Sequence, residues 1–100
     1  MALKLTPFDA ADYLTDEETI RYFIEDAIAT GDVKDIADAL GIVARSKGMT
    51  EIARRAGVSR ESLYRTLSLK GNPELATIVK VLDALGFRLA LAPKEPSQAA

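Results

Sequence analysis

Cysteine, histidine and tryptophan are all absent from this 100-residue chain, which also has only 4 prolines and 6% aromatic residues. Without cysteine it can build neither a disulfide framework nor a thiolate zinc site. Without histidine it lacks the commonest general base and metal ligand. The remaining acid–base material is paired carboxylates such as Asp9 with Asp12 or Glu17 with Glu18. Those pairs fall in caps and turns, with no apolar pocket, glycine loop or basic partner to tune them. No catalytic residue, metal or cofactor is therefore expected, and an enzyme is the weakest of the functional readings. Long apolar runs are also missing, and the N-terminal MALKLTPFDA has no signal-peptide core. The expectation is a cytoplasmic protein with no membrane partner.

What is present is a chain of 48% hydrophobic residues, enough for one compact domain and too few for two. Its net charge of −2 conceals a segregation along the sequence. Residues 1–44 carry ten acids against Lys4, Arg21 and Lys34, a balance of −7. Residues 45–70 carry Arg45, Lys47, Arg54, Arg55, Arg60, Arg65 and Lys70 against Glu51 and Glu61, a balance of +5, and residues 71–100 are neutral. A polyanion approaching the chain feels the local patch more than the total, so the asymmetry suggests one face for polyanions and another for something basic. Solvated helix faces would account for the acidic half equally well.

Hydrophobic periodicity divides the chain into helices. After an arm over 1–14 that includes Phe8 and Tyr13, Thr15 and Glu18 read as a capping box. The helix it opens, roughly 16–30, has Ile20, Phe23, Ile24, Ala27 and Ile28 on one stripe and is closed by Gly31. Asp32 caps a second helix carrying Ile36, Leu40, Val43 and Ala44, which ends at Ser46, Lys47 and Gly48. Asn72 and Pro73 read as N-cap and first position of a last helix, with Leu75, Ile78, Val79, Leu82 and Leu85 on one side and Gly86 as its stop. The period then changes to two, with Phe87, Leu89 and Leu91 alternating up to Pro93, which predicts a short strand over 87–92. With no second strand in the sequence, its edge would pair with the same strand of another copy or with a partner's sheet.

The most informative stretch is MTEIARRAGVSRESLYRTL at 49–67, two short amphipathic helices joined by a tight turn, the pattern of a DNA-binding helix-turn-helix. Ala53 is small where the helices must approach, and Gly57 supplies the positive φ that turns the chain. Val58 and Leu63 anchor the second helix to the core, and Ser59 caps it. Arg60, Glu61, Tyr64 and Arg65 then project from its first two turns. Arg60 and Arg65 are suited to bidentate bonds with guanine, and Glu61 to a cytosine amino group or to orienting an arginine. Tyr64 suits a thymine methyl or a phosphate. Ser59, Ser62, Thr50, Lys47 and Arg54 or Arg55 suit phosphate contacts that set register without reading sequence. Any one arginine is as readily a solvated surface charge.

The order of these elements resembles the Xre/Cro-like, lambda-repressor-like repressors. More narrowly, PFDAADYLTDEETIRYFIEDAIATGD at 7–32 and IADALGIVARSKGMTEIARRAGVSRESLYRTLSLKGNPELATIVKVLDALGFRL at 36–89 resemble the HigA-like addiction-module antidotes, antitoxins of type II toxin-antitoxin systems. SRESLYRTLSLKGNPEL within the second stretch is the most specific part. The resemblance implies an all-α fold of about five helices with a short C-terminal β-strand. It also implies a homodimer that represses its own operon on double-stranded operator DNA and neutralises a basic toxin of the RelE/ParE superfamily. Under that reading the chain is a single domain. Residues 1–31 form an acidic toxin-binding extension, 32–86 the DNA-binding core, 87–92 the strand and 93–100 a disordered tail. Phe8, Tyr13 and Tyr22 would be aromatic anchors for the toxin, whereas Phe23 is assigned to the core. The rivals are a prophage-type repressor with no toxin partner and an interaction module that has lost DNA binding. The +5 patch speaks against the latter.

Overall fold

A computed structural model describes residues 16–68 and 72–94, so Phe8, Tyr13, Thr15 and Lys70 lie outside the described residues. Among the described residues five helices follow in order: α1 (Glu17–Ala29), α2 (Val33–Lys47), α3 (Met49–Ala56), α4 (Arg60–Thr66) and α5 (Leu75–Leu85). Over these residues the all-α architecture and the order of the helices match the expectation.

α1 and α2 form a helical hairpin across Thr30–Asp32. Its caps are side-chain oxygens that satisfy otherwise unpaired backbone donors. The cap of α1 is Asp16, one residue after the predicted Thr15: its Oδ1 accepts the Thr19 N–H at 2.7 Å, and its extended backbone (φ −129°, ψ 163°) suits the position. That bond from the Thr19 N–H is the main reason the Asp16 carboxyl titrates below its ordinary value. Asp32 caps α2 as predicted, accepting the Lys34 N–H at 2.8 Å. α2 passes directly into α3 through Gly48, whose φ of 104° and ψ of 109° turn the chain within one residue in a region that a side chain would strain.

The core lies where α2, α3, α4 and α5 meet, with Ile20 and Ile24 of α1 closing one side. Leu40, Val43, Ile52, Leu63 and Val81 are its fully buried centre. Three residues predicted on core stripes lie mostly outside it: Ile28 is 42% exposed, Leu75 66% and Val79 44%. Each sits at the edge of its helix's apolar arc, where the neighbouring helix no longer covers it. α5 also begins two residues later than predicted. Glu74 is its N-cap without a side-chain cap bond, and Asn72 and Pro73 precede it outside any regular structure.

The predicted strand over 87–92 is a correction: among the described residues there is no strand, and residues 87–94 have no regular structure. The physical reason is that alternation alone does not satisfy a backbone. A strand needs a neighbouring ladder, and among the described residues the chain supplies none. What begins the segment is a helix ending: Gly86 is left-handed (φ 94°), and the Phe87 N–H reaches back to the Leu82 carbonyl at 2.8 Å. Phe87 packs against the core, while Leu89 and Leu91 stand exposed.

Candidate nucleic-acid interface

The unit α3–turn–α4 is built as its residues dictate. Gly57 adopts φ 75°, and the Val58 N–H bonds the Ala53 carbonyl at 3.0 Å, closing α3 with a left-handed residue. Ser59 is extended, and its hydroxyl oxygen accepts the Ser62 N–H at 3.0 Å, starting α4 after three intervening residues. Ala53 is buried at this junction, and Val58 packs on the core. Replacing Ser59 with alanine should therefore cost about 1 kcal/mol, a fall in Tm of roughly 4–8 °C for a domain of this size. Thermal circular dichroism would detect it, and an unchanged Tm would mean that the cap contributes nothing.

α4 has two faces. Leu63 and Leu67 are buried against the core, whereas Arg60, Glu61, Tyr64 and Arg65 are all exposed. Residues four apart align on a helix surface, so Arg60 and Tyr64 form one row and Glu61 and Arg65 the next. The Arg60 guanidinium carbon lies 5.2 Å from the centroid of the Tyr64 ring, and an Nη donates to the Tyr64 hydroxyl at 3.4 Å. The stack holds one cation and one aromatic side by side at a solvent-facing surface. Among the described residues no ion pair engages Arg65.

The flanking cations are placed unequally. Lys47 is exposed at the end of α2, and Thr50 in the first turn of α3. Arg54 and Arg55 both converge on the Glu51 carboxylate, Arg54 through Nε and Nη2 and Arg55 through Nε at 2.9 Å. Bonds from Arg54 first and Arg55 second hold that carboxyl below its ordinary value, and Arg54 is raised in return. Arg55 also turns towards α5, its Nη1 lying 3.5 Å from the Ala84 carbonyl. Arg54 and Arg55 are thus neutralised in part, and the uncompensated cations nearest α4 are on α4 itself.

Of the partner-binding residues expected, only Tyr22 is described. It is half exposed on α1, with the Arg21 guanidinium 4.9 Å from its ring centroid and its hydroxyl donating to Glu18 at 3.4 Å. Sequence reasoning missed a groove next to it, between α1 and α2, lined by Phe23, Asp26, Ala27, Thr30, Asp35, Asp38 and Ala39. The signal that could have found it is the i, i+4 row Glu18, Tyr22, Asp26, Thr30 facing the acids of the next helix.

Comparison with known proteins places this geometry in context. Residues 4–93 match the family described as "Probable addiction module antidote protein". An uncharacterised protein of Haemophilus influenzae is 43% identical over 88 residues, which cover 88% of this chain and 91% of that protein. No solved structure is a significant match.

Proposed function

The chain belongs to the family of probable addiction module antidote proteins, and from that premise we propose that it is an antitoxin that binds operator DNA through α4, represses its own operon and neutralises a basic toxin of the RelE/ParE superfamily. The observation that carries the DNA half is the outward face of α4. Arg60, Glu61, Tyr64 and Arg65 are all exposed on a helix whose opposite face is locked into the core by Leu63 and Leu67. Two arginines, a carboxylate and an aromatic hydroxyl make a face that can both donate to and accept from base edges in a major groove. Lys47, Thr50, Ser59 and Ser62 serve as phosphate contacts around it, with Arg54 and Arg55 as weaker ones while Glu51 holds them. A solvated surface would not require such a concentration of cations in a chain of net charge −2.

Two tests divide the reading. Fluorescence anisotropy on the duplex upstream of the protein's own gene, against a scrambled duplex and over a salt series, should give tight selective binding with a steep negative salt slope. Equal, weak binding to both duplexes would remove the repressor half. The reading expects a basic, growth-arresting protein encoded beside the gene, whose arrest this chain relieves on co-expression; failure to relieve it would remove the antidote half and leave a repressor without a toxin partner.

A palindromic operator needs two recognition helices about one DNA turn apart, roughly 34–36 Å, and hence a two-fold dimer. Leu75 and Val79, one turn apart on α5 and largely exposed, are the surface we assign to it. Changing both to aspartate should give a folded monomer by analytical ultracentrifugation, with binding to a full palindrome falling to that of a half-site. A double variant that still sediments as a dimer would place the interface elsewhere.

A further inference from the structure

The groove between α1 and α2 has an apolar floor and an acidic rim. Phe23 and Ala27 of α1 and Ala39 of α2 line its base, Asp26 stands on one wall, and Asp35 and Asp38 stand on the other. It is shallow and open to solvent, with about 310 Å³ of space, so it can seat a long side chain laid along it but does not enclose a small molecule. Among the described residues none of the three carboxylates forms an ion pair; Arg21, the cation of α1, lies instead 3.9 Å from Glu25. Nor do they converge on a metal: no group of three acids among the described residues is close enough to hold one. These three carboxylates repel nucleic acid from this side, whereas α4 sets two arginines against the single acid Glu61.

We propose that this groove is the docking site for a basic amphipathic segment of a protein partner, with the aliphatic stem of an arginine or lysine lying on Phe23 and Ala27 and its cation among Asp26, Asp35 and Asp38. The fit follows from how such side chains divide their chemistry: the methylene stem gains from an apolar floor while the charged head stays near water and anions at the rim. A lone acidic face attracts cations without orienting them. A floor flanked by carboxylates on two helices fixes the direction in which a long cation enters. The wall continues along α1 to Tyr22, one turn before Asp26 on the same row, which gives the segment an aromatic contact beyond the groove. That the partner is the toxin rests on the antidote reading above; the chemistry of the groove does not.

The test uses the full chain, labelled with ¹⁵N and titrated with the peptide acetyl-Leu-Arg-Lys-Leu-Leu-Arg-amide, and with the same peptide carrying glutamate in place of each cation. Saturable amide shifts are expected over 23–30 and 35–39 with the basic peptide only. The triple variant Asp26→Asn, Asp35→Asn, Asp38→Asn removes the charge while keeping the shape, and Ala27→Arg fills the floor from within. Each should raise Kd at least tenfold and leave operator binding unchanged, since both lie outside the α3–α4 unit. Shifts that map elsewhere, or a Kd that neither variant alters, overturn the groove. Growth rescue by the unaltered chain separates the two ideas. If it rescues and both variants rescue equally, the groove is not where the toxin docks and the antidote reading stands. If it fails to rescue, the antidote reading falls, and the peptide titration still decides the groove.

Discussion

Alanine at Arg60 or at Arg65 should weaken binding to the operator by roughly 1–3 kcal/mol each, about 5- to 150-fold, and should do so more on the operator than on a scrambled duplex. The expectation rests on where the two side chains sit. Both emerge from the exposed face of α4, whose backbone is held by the Ser59 cap at one end and Leu67 at the other. Arg65 has no ion-pair partner to leave among the described residues, so its full hydrogen-bonding capacity is available to a base. Arg60 begins stacked on Tyr64 and keeps the ring beneath its guanidinium plane as it points outward. Tyr64→Phe keeps that stack and removes only the long hydroxyl contact, so it should cost much less than Arg60→Ala. Arg54→Ala is the contrasting control. Its guanidinium is already paired with Glu51, and removing it should lower affinity alike on both duplexes and reduce the salt slope by no more than about one. Losses at Arg60 and Arg65 that are equal on operator and scrambled duplex would mean that α4 grips phosphates and reads nothing.

The α3–turn–α4 unit was legible because each of its joints depends on one residue type. Gly57 at positive φ, Ser59 as a cap and Leu63 on the buried face are local requirements that a sequence displays directly. The failures have equally local causes. The stretch from Phe87 to Leu91 alternates like a strand, but alternation records only which side chains are apolar, and among the described residues the backbone has no ladder to join. Leu75 and Val79 fit the helical stripe of α5, yet a period cannot say how wide an arc the neighbouring helices cover. The clamp of Arg54 and Arg55 on Glu51 lay within reach, since the spacings i, i+3 and i, i+4 are visible in the sequence, but counting charges over a segment treats paired and free cations alike. The acidic groove was the least legible, because it is made by two helices whose facing was not read and whose acids individually look like solvated surface.

Leu63→Ala should be the most destabilising single change in α4, by about 2–5 kcal/mol, lowering Tm by roughly 10–30 °C. Leu63 is fully buried, and truncation leaves a cavity at the point where α4 meets the core. The more telling effect is on order of unfolding. α4 has 7 residues, far fewer than an isolated helix needs to persist in water, so its existence depends on Leu63 and Leu67 rather than on helix propensity. α1 and α2 have 13 and 15 residues and pack on each other, so they can outlast it. The variant should therefore lose operator binding at temperatures where circular dichroism still reports most of its helix, and amide exchange should show α4 opening ahead of α1 and α2. Ile28→Ala, at a position 42% exposed on α1, should stay within about 1 kcal/mol of the parent and keep its operator affinity. If binding and helix content of Leu63→Ala vanish together in one transition, α4 is not a separable element and the whole domain folds as a single cooperative unit. If instead its Tm falls by only a few degrees, the end of α4 is held by Leu67 alone, and the recognition face is anchored from its far side.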